Sequence, residues 1–579
     1  MRRMRNRVAI ACMFFVACGQ RPTDDRDLSE ATLTIEPTAV ELLVLNGAPA
    51  TQAYTATLTF PDGASEDVTA DTYFSVDAAF GAFNGAEAAI ITGGKTTAYG
   101  QLEDKVGSGS ITSRVKSVRT DPSLDPNTAD LFNGTEDPAR APLVLYPADD
   151  VVMPRNLGDW ESHWVDSSGN DIFELSLKTE YSDIRIYLPG GNGNPAAGPM
   201  PTFGEFLAAE WLSAVGFQQN VRYQVRGVST TSPGPVGAAA PRTVQLTNEP
   251  MDGGLYYWAA STTYGIYRHD MAHPGQPAEE YMTLNQTTDV DYPSGRCVAC
   301  HSLSRDGTKM AITYDGGNSL ATLVDVATST RQPAIARWNF GTFTPDATQF
   351  LGVHNGVLTV RSGIDQAELV TMPVEAGTRV SHPDLSPDGG RLVYVRKGNA
   401  GSDWDFTGGT LFTRTYDQST QTFGPETPLV TDAGNNYYPS WSPDGQWVMF
   451  NRDVSNGDAY DNANGSLFVV RADGLSTPIE LTAANDGNGL TNSWGRWAPF
   501  QQSVGITNEP VFWVTVSSKR DFGVRLVGAN RPQIWMTPFY PNRGMSVLDP
   551  TVSAFRLPFQ NIESNNHIAQ WTERVVSTQ

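Results

Sequence analysis

Arg296 to Gly307 read RCVACHSLSRDG, in which Cys297, Cys300 and His301 form a C-x-x-C-H run. Two thiols three residues apart can bond to both vinyl groups of one porphyrin, and the adjacent imidazole is then carried under the iron. That spacing is the one used for covalent c-type haem attachment. Other chemistries of a close cysteine pair find less support. A structural zinc takes four ligands, and no second cysteine pair completes the set. A thioredoxin-like redox pair expects a βαβ setting that nothing here supplies, and a plain disulfide would close a very small, strained loop. The expectation is one haem c bonded to Cys297 and Cys300 with His301 as proximal iron ligand; a redox or structural disulfide is the main alternative.

The group opposite His301 would set the chemistry, a protein ligand favouring electron transfer and an open position favouring small-molecule reactions. Six further histidines are available: His163, His269, His273, His354, His382 and His567. His567 lies in the closing segment NNHIAQW, and His382 occupies a repeat position that matches Cys300. His567 is the first candidate for the distal ligand and His382 the second, ahead of a methionine or an open site.

A single haem must be seated by a larger scaffold. From Met251 onward the chain repeats a turn followed by an apolar strand. Ser304-Arg305-Asp306-Gly307, Thr344-Pro345-Asp346, Ser386-Pro387-Asp388-Gly389 and Ser442-Pro443-Asp444-Gly445 each lead such a strand, then a Gly/Asn hairpin and a second strand. A degraded copy follows from Trp497, and another precedes the haem motif as LYYWAAS and GIYRHDM. Spacing of this order is that of propeller blades, and six units predict six blades, with seven the alternative. Aligned on the turn aspartates, Cys300, Phe340, His382 and Tyr438 fall six residues upstream, with Trp494 in the degraded copy. Equivalent blade positions ring the axis, so these residues are expected to border the haem or to pack between blades.

Before the propeller, residues 31–119 alternate short apolar and polar runs between Gly, Pro and Asp turns and read as a β-sandwich. Residues 120–142 are rich in Asp, Pro, Asn and Ala and read as a linker. Residues 143–250 read as a second sandwich with Trp164 and Trp211 in its core, and Phe203 to Val215 has helical spacing. The fold class expected is all-β: two sandwiches followed by a propeller over 251–579.

The N-terminus joins four arginines to a ten-residue apolar run, Val8 to Ala17, which is a secretory signal too short to span a bilayer. Residues 18–30 are polar and read as a tether. With 63 acidic against 40 basic residues the formal net charge is −23, which argues against nucleic acid or an anionic lipid surface as partner. Asp453, Asp458, Asp461, Asn462 and Asn464 crowd one hairpin, DVSNGDAYDNANG, in a calcium-like composition. The spacing lacks the EF-hand glutamate, so a solvated hairpin is expected ahead of a calcium site.

Several segments resemble known families. Ser-Pro-Asp-Gly before an apolar strand resembles the TolB-type β-propeller repeat. LTIEP, YTATLTFPDG and DVTA are similar to bacterial Ig-like domains, and NVRYQVRGV with its following strand is similar to fibronectin type III. Phe15, Val16 and Ala17 before Cys18 resemble a bacterial lipobox. That resemblance implies a lipidated Cys18 after removal of 1–17, with Gly19 pointing to the outer membrane. GIYRHD, CVACHSLSRDG, VSSKRDFG and DPTVSAFRLPFQNIESNNHIAQW together resemble exported, propeller-bearing cytochrome-like proteins known from myxobacteria. Cysteine use then closes: Cys12 leaves with the signal, Cys18 takes lipid, and Cys297 with Cys300 takes haem. The function expected is a lipid-anchored monohaem electron carrier serving a redox partner protein at the cell envelope. Its rivals are a binding scaffold for polysaccharide or protein, and a haem-dependent oxidoreductase with its substrate in the propeller mouth.

Overall fold

The computed structural model describes residues 28–576, apart from 159, 191–199, 207–210, 212–214, 216–217, 262–263, 274–275, 284–296, 318, 334, 488 and 547. The signal segment, Cys18, most of the tether and Arg296 lie outside the described residues. The chain forms two compact units, one built from residues up to Val40, Thr51–Ala89 and Thr96–Ile111, the other from Glu41–Ala50, Ile90–Lys95 and Thr112 onward.

In the smaller unit Thr32–Glu36 pairs antiparallel with Thr55–Thr59, which pairs in turn with Ser65–Asp67. Alternation decides which face is buried: Leu33, Ile35, Ala56 and Leu58 point inward between exposed threonines and Glu36. Phe74 stacks on Phe83 at 5.5 Å beside Tyr54.

The larger unit begins as a sandwich. One sheet orders Val151–Met153, Arg242–Leu246, Asn220–Val228, Ile172–Lys178 and Ser182–Pro189, and the other Leu143–Tyr146, Trp160–Asp166 and Met200–Phe206. Trp164 and Trp211, the expected core aromatics, are fully buried. The helix expected from Phe203 is corrected. Met200–Phe206 is a strand in register with Trp160–Asp166, Phe203 facing His163, and the described helical residues beyond it are Trp211 and Val215. Sheet pairing outweighs a local 3.6-residue spacing. The linker is also more structured than its composition implies. Thr128–Asn133 forms a 3-10 turn that buries Phe132 against Tyr187 (5.3 Å) under the Arg226 guanidinium.

Beyond residue 250 the described strands form six separate sheets, the six blades of a β-propeller. The inner strands are Val298–Leu303, Phe340–Phe343, Val380–Leu385, Asn435–Trp441, Ser493–Val504 and Asn566–Thr572. Each neighbours the inner strand of the next blade, and the series closes on itself. The last of them pairs with Gly254–Ala259, so the chain's final strand completes the first blade. Such closure ties the two ends of the propeller together without a covalent link.

The repeated turn explains why the blades recur. The Ser304 hydroxyl donates to Asp306 (2.7 Å) and accepts from the Lys309 N–H (2.9 Å), while Asp306 accepts from the Thr308 N–H (3.0 Å). Thr344 with Asp346, Ser386 with Asp388 and Ser442 with Asp444 repeat the arrangement. The fourth turn position is left-handed, at φ +75° for Gly307, +73° for Gly389 and +66° for Gly445. Gly445→Ala adds only the left-handed penalty, since its Cβ would meet nothing closer than 3.6 Å, and is expected to cost about 1–2 kcal/mol. Gly389→Ala adds a 2.8 Å clash with the Pro345 ring and is expected to cost about 1–3 kcal/mol more. Denaturant unfolding of the two variants checks the order.

The sandwich of this unit is seated on the sixth blade. His163, fully buried, bonds Glu161 through Nε2 (2.9 Å) and lies 4.5 Å from the Phe522 ring of the hairpin VSSKRDFG. Glu161 also pairs with Arg525 at 3.0 Å, next to Arg556 at 3.9 Å.

Candidate functional site

The inner strands reach the axis in an irregular way, and the irregularity makes the site. Register slips between Val298 and His301, Ser381 and Asp384, Tyr437 and Ser440, and Ser493 and Arg496, and on the closing strand between His567 and Gln570. Each is a bulge, two residues opposing one, which turns side chains to a new direction. His382, Tyr438, Trp494 and Ile568 sit at these bulges with φ between +45° and +56°. Their side chains converge: His382 lies 4.4 Å from Phe340 and 4.2 Å from Tyr438, and Tyr438 stacks on Trp494 at 4.3 Å. Cys300 and Ile568 pack against this cluster. The five residues aligned from sequence thus meet around the axis. Ile568 is the sixth member, which the alignment missed because the closing segment carries no Ser-Pro-Asp turn.

The same bulge arranges the thiols. Cys297 faces Asp315, whose N–H donates to the Cys297 carbonyl (3.0 Å), and the slipped pair Ala299-Cys300 faces Thr313. Asp315 and Thr313 share a face of their strand, so the extra residue returns Cys300 to the face of Cys297. In a regular strand a separation of three would put the two thiols on opposite faces. Burial, and then the nearby Cys297, push the Cys300 thiol up to about 11.

His301 is buried, and neither ring nitrogen has a hydrogen-bond partner of ordinary geometry. Burial holds its pKa down to about 4, so the ring is neutral. Backbone groups of Tyr256 and Ala299 near the ring oppose that drop without reaching good hydrogen-bond geometry, and an imidazole so weakly partnered in the interior is costly unless something uses it; the neutral ring is the metal-ligating form. The chemistry of this donor set fits the haem expected from the spacing.

Two cavities meet at Cys300. One of about 270 Å³ is lined by Trp258, Cys300, Trp404, Tyr438, Tyr460 and His567 among others. The other, about 10 Å³, is bordered by Cys300, His301, His382, Trp494 and Arg496. Of the two distal candidates, His567 shares the larger space with Cys300, and His382 shares the narrow one with Cys300 and His301. Burial lowers the pKa of both rings, to about 4 for His567. They differ in what holds them. His382 Nδ1 accepts the Tyr438 N–H at 3.3 Å, which leaves the proton of its neutral ring on Nε2. His567 lies beside Trp258, 6.0 Å away. The remaining histidines are elsewhere: His163 under the sandwich, His269 stacked on Phe559 at 3.7 Å, His273 paired with Asp270 at the surface, and His354 beside Asn355. Among the described residues no methionine borders either cavity.

One pleat below the aromatic ring is a second ring that sequence reading did not single out. Ser302, Thr342, Asp384, Ser440, Arg496 and Gln570 lie two residues beyond the first-ring positions, and all line a tunnel of about 140 Å³. Every member is polar, a regularity visible only once six inner strands are known to share an axis.

The acidic hairpin is occupied by its own hydrogen bonds. Asp453 accepts from the Ser455 N–H (2.7 Å), the Gly457 N–H (3.0 Å) and Asn462 (2.8 Å), and Asp461 pairs with Lys519. Among the described residues no group of three or more candidate ligands comes together there. Burial, then a hydrogen bond shared with Asp405 of the preceding blade, push the Asp458 carboxyl up to about 6. A folded-state value above the unfolded one, about 3.9, favours the native state below about pH 4 and loses that contribution as pH rises through about 6. Asp458→Asn is therefore expected to raise the unfolding midpoint at pH 8 and leave it unchanged at pH 4. Equal shifts at both pH values would contradict the shared proton.

No family model matches this chain, and no curated protein matches it. Among solved structures it is similar to TolB from Acinetobacter baumannii, at 14% identity over 61% of this chain and 79% of that one, with a TM-score of 0.35. It is also similar to a putative TolB from Agrobacterium tumefaciens, at 14% identity over 54% and 90%, with a TM-score of 0.30. A third is Kuenenia stuttgartiensis hydrazine synthase, at 14% identity over 46% and 67%, with a TM-score of 0.30. Likenesses this distant assign no residue a role.

Proposed function

We propose that this chain is an exported, lipid-anchored electron carrier of the cell envelope, with one haem c bonded to Cys297 and Cys300 and His301 on its proximal side. The observation that carries the reading is the bulged strand, whose register returns Cys300 to the face of Cys297, with Cys300 lining an aromatic cavity and followed by a buried imidazole that has no hydrogen-bond partner of ordinary geometry. Bound there, the haem would supply a one-electron iron couple. The chain's own residues have simpler tasks. The thiols fix position, His301 is held neutral for ligation, and Trp258, Trp404, Tyr438 and Trp494 exclude water, lowering the local dielectric that tunes potential. Cys18 would carry the anchoring lipid, probing of which needs only mass analysis of the mature N-terminus.

A second reading, a binding scaffold without haem, draws on the tight packing of Phe340, His382, Tyr438 and Trp494, which fills the axis with protein. Purified exported protein separates the two. Wild type is expected to be red, and the Cys297→Ala, Cys300→Ala double variant to lose all covalently held absorbance. A visible spectrum unchanged by the double substitution removes the haem reading and leaves the scaffold.

A further inference from the structure

Arg496 is a half-buried cation of the propeller axis that makes no direct ion pair. It lies at the junction of the narrow cavity below Cys300 and the 140 Å³ tunnel. Among the described residues its guanidinium makes one hydrogen bond, to the Gly495 carbonyl at 3.0 Å, and no ion pair within 4.0 Å. Asp384 lies in the same ring and attracts Arg496 electrostatically, but it makes no ion pair with it within 4.0 Å and accepts instead from the Trp441 N–H (2.8 Å) and the Thr342 hydroxyl (3.3 Å). The Trp494 ring, 5.3 Å away, gives only a cation–π contact. Arg496 is half-buried and Asp384 attracts it without pairing directly, so most of its donors stay open, and a planar guanidinium with free donors matches a carboxylate in bidentate geometry. Ser302, Ser440 and Gln570 surround the same space with hydroxyl and amide groups. A tunnel of about 140 Å³ holds about five waters, enough for an anion of two or three carbons or for the end of a longer acid chain.

We infer that the polar ring is a carboxylate-binding site with Arg496 as its anchor. Two sources share that chemistry: a propionate of the haem proposed above, or a small free carboxylate entering through the tunnel. The first rests on the haem reading and the second does not.

Sodium acetate is the probe, titrated by calorimetry into the full exported chain and into its Cys297→Ala, Cys300→Ala variant, each with and without Arg496→Gln. If the site takes a free carboxylate, both forms bind one acetate, and Arg496→Gln weakens binding at least tenfold. If a propionate fills it, the red protein binds none and the double variant does. Arg496→Gln then lowers the midpoint potential of the red protein, because a positive charge near the haem favours the reduced state. Arg496→Lys keeps the charge without the fork and should retain part of either effect. In the Cys297→Ala, Cys300→Ala variant acetate should raise the unfolding midpoint only when Arg496 is present. Absence of acetate binding in the double variant, or binding unaffected by Arg496→Gln, overturns the assignment and leaves Arg496 neutralised by Asp384 through water. A colourless wild type that still binds acetate through Arg496 refutes the haem reading and leaves this one standing.

Discussion

Reduced His567→Ala protein is expected to bind carbon monoxide stoichiometrically, with wild type and His382→Ala binding none. Both rings are held neutral, but His382 is buried and His567 half-buried, and they differ in what each ring nitrogen does. His382 spends Nδ1 on the Tyr438 N–H, and its ring is held between Phe340 and Tyr438, so ligation there requires breaking that hydrogen bond and repacking the axis. His567 borders the larger cavity together with Cys300, on the strand that closes the propeller. If His567 is the distal ligand of the proposed haem, its loss would free that position without disturbing the aromatic ring. Carbon monoxide binding by wild type would show an open position from the start and shift the balance toward an oxidoreductase. Gain of binding in His382→Ala alone would exchange the two roles.

A large loss of stability is expected at Gly523. This glycine has φ +50°, and a Cβ on it would lie 1.9 Å from His163 Nδ1. Gly523→Ala must therefore move backbone or expel the imidazole from beneath the hairpin, breaking the Glu161–His163 bond and the Phe522 contact. Left-handed strain of about 1–2 kcal/mol and overpacking of about 1–3 kcal/mol add at one site. Denaturant unfolding should show a loss of about 2–5 kcal/mol, larger than for Gly445→Ala, where only strain acts. A loss no greater than that of Gly445→Ala would mean that the sandwich seat yields freely.

How much of this was legible in the sequence depends on how local each cause is. The Ser-Pro-Asp-Gly turns are closed within six residues by their own hydroxyls and carboxylates, so four blades announce themselves. Aligning on those aspartates was enough to bring Cys300, Phe340, His382, Tyr438 and Trp494 together. Ile568 escaped because its strand has no such turn. Phe203 misled because its spacing suits a helix until the partner strand Trp160–Asp166 is known. Phe132 escaped because a Pro- and Asp-rich composition does not reveal where one aromatic ring docks. Arg496 and Asp384 look like ordinary charged residues of two distant strands, and only the closed ring of blades makes them neighbours. The C-x-x-C-H spacing was visible, but not that a strand rather than a helix carries it, nor that a bulge is needed to turn both thiols one way.

The most direct test is the visible spectrum and intact mass of purified, exported wild-type protein after denaturation and acid-acetone extraction. The account predicts that the absorbance stays with the polypeptide and that the mature chain is heavier by one haem. A colourless chain of unmodified mass, with Cys297 and Cys300 as thiols or joined to each other, would contradict it.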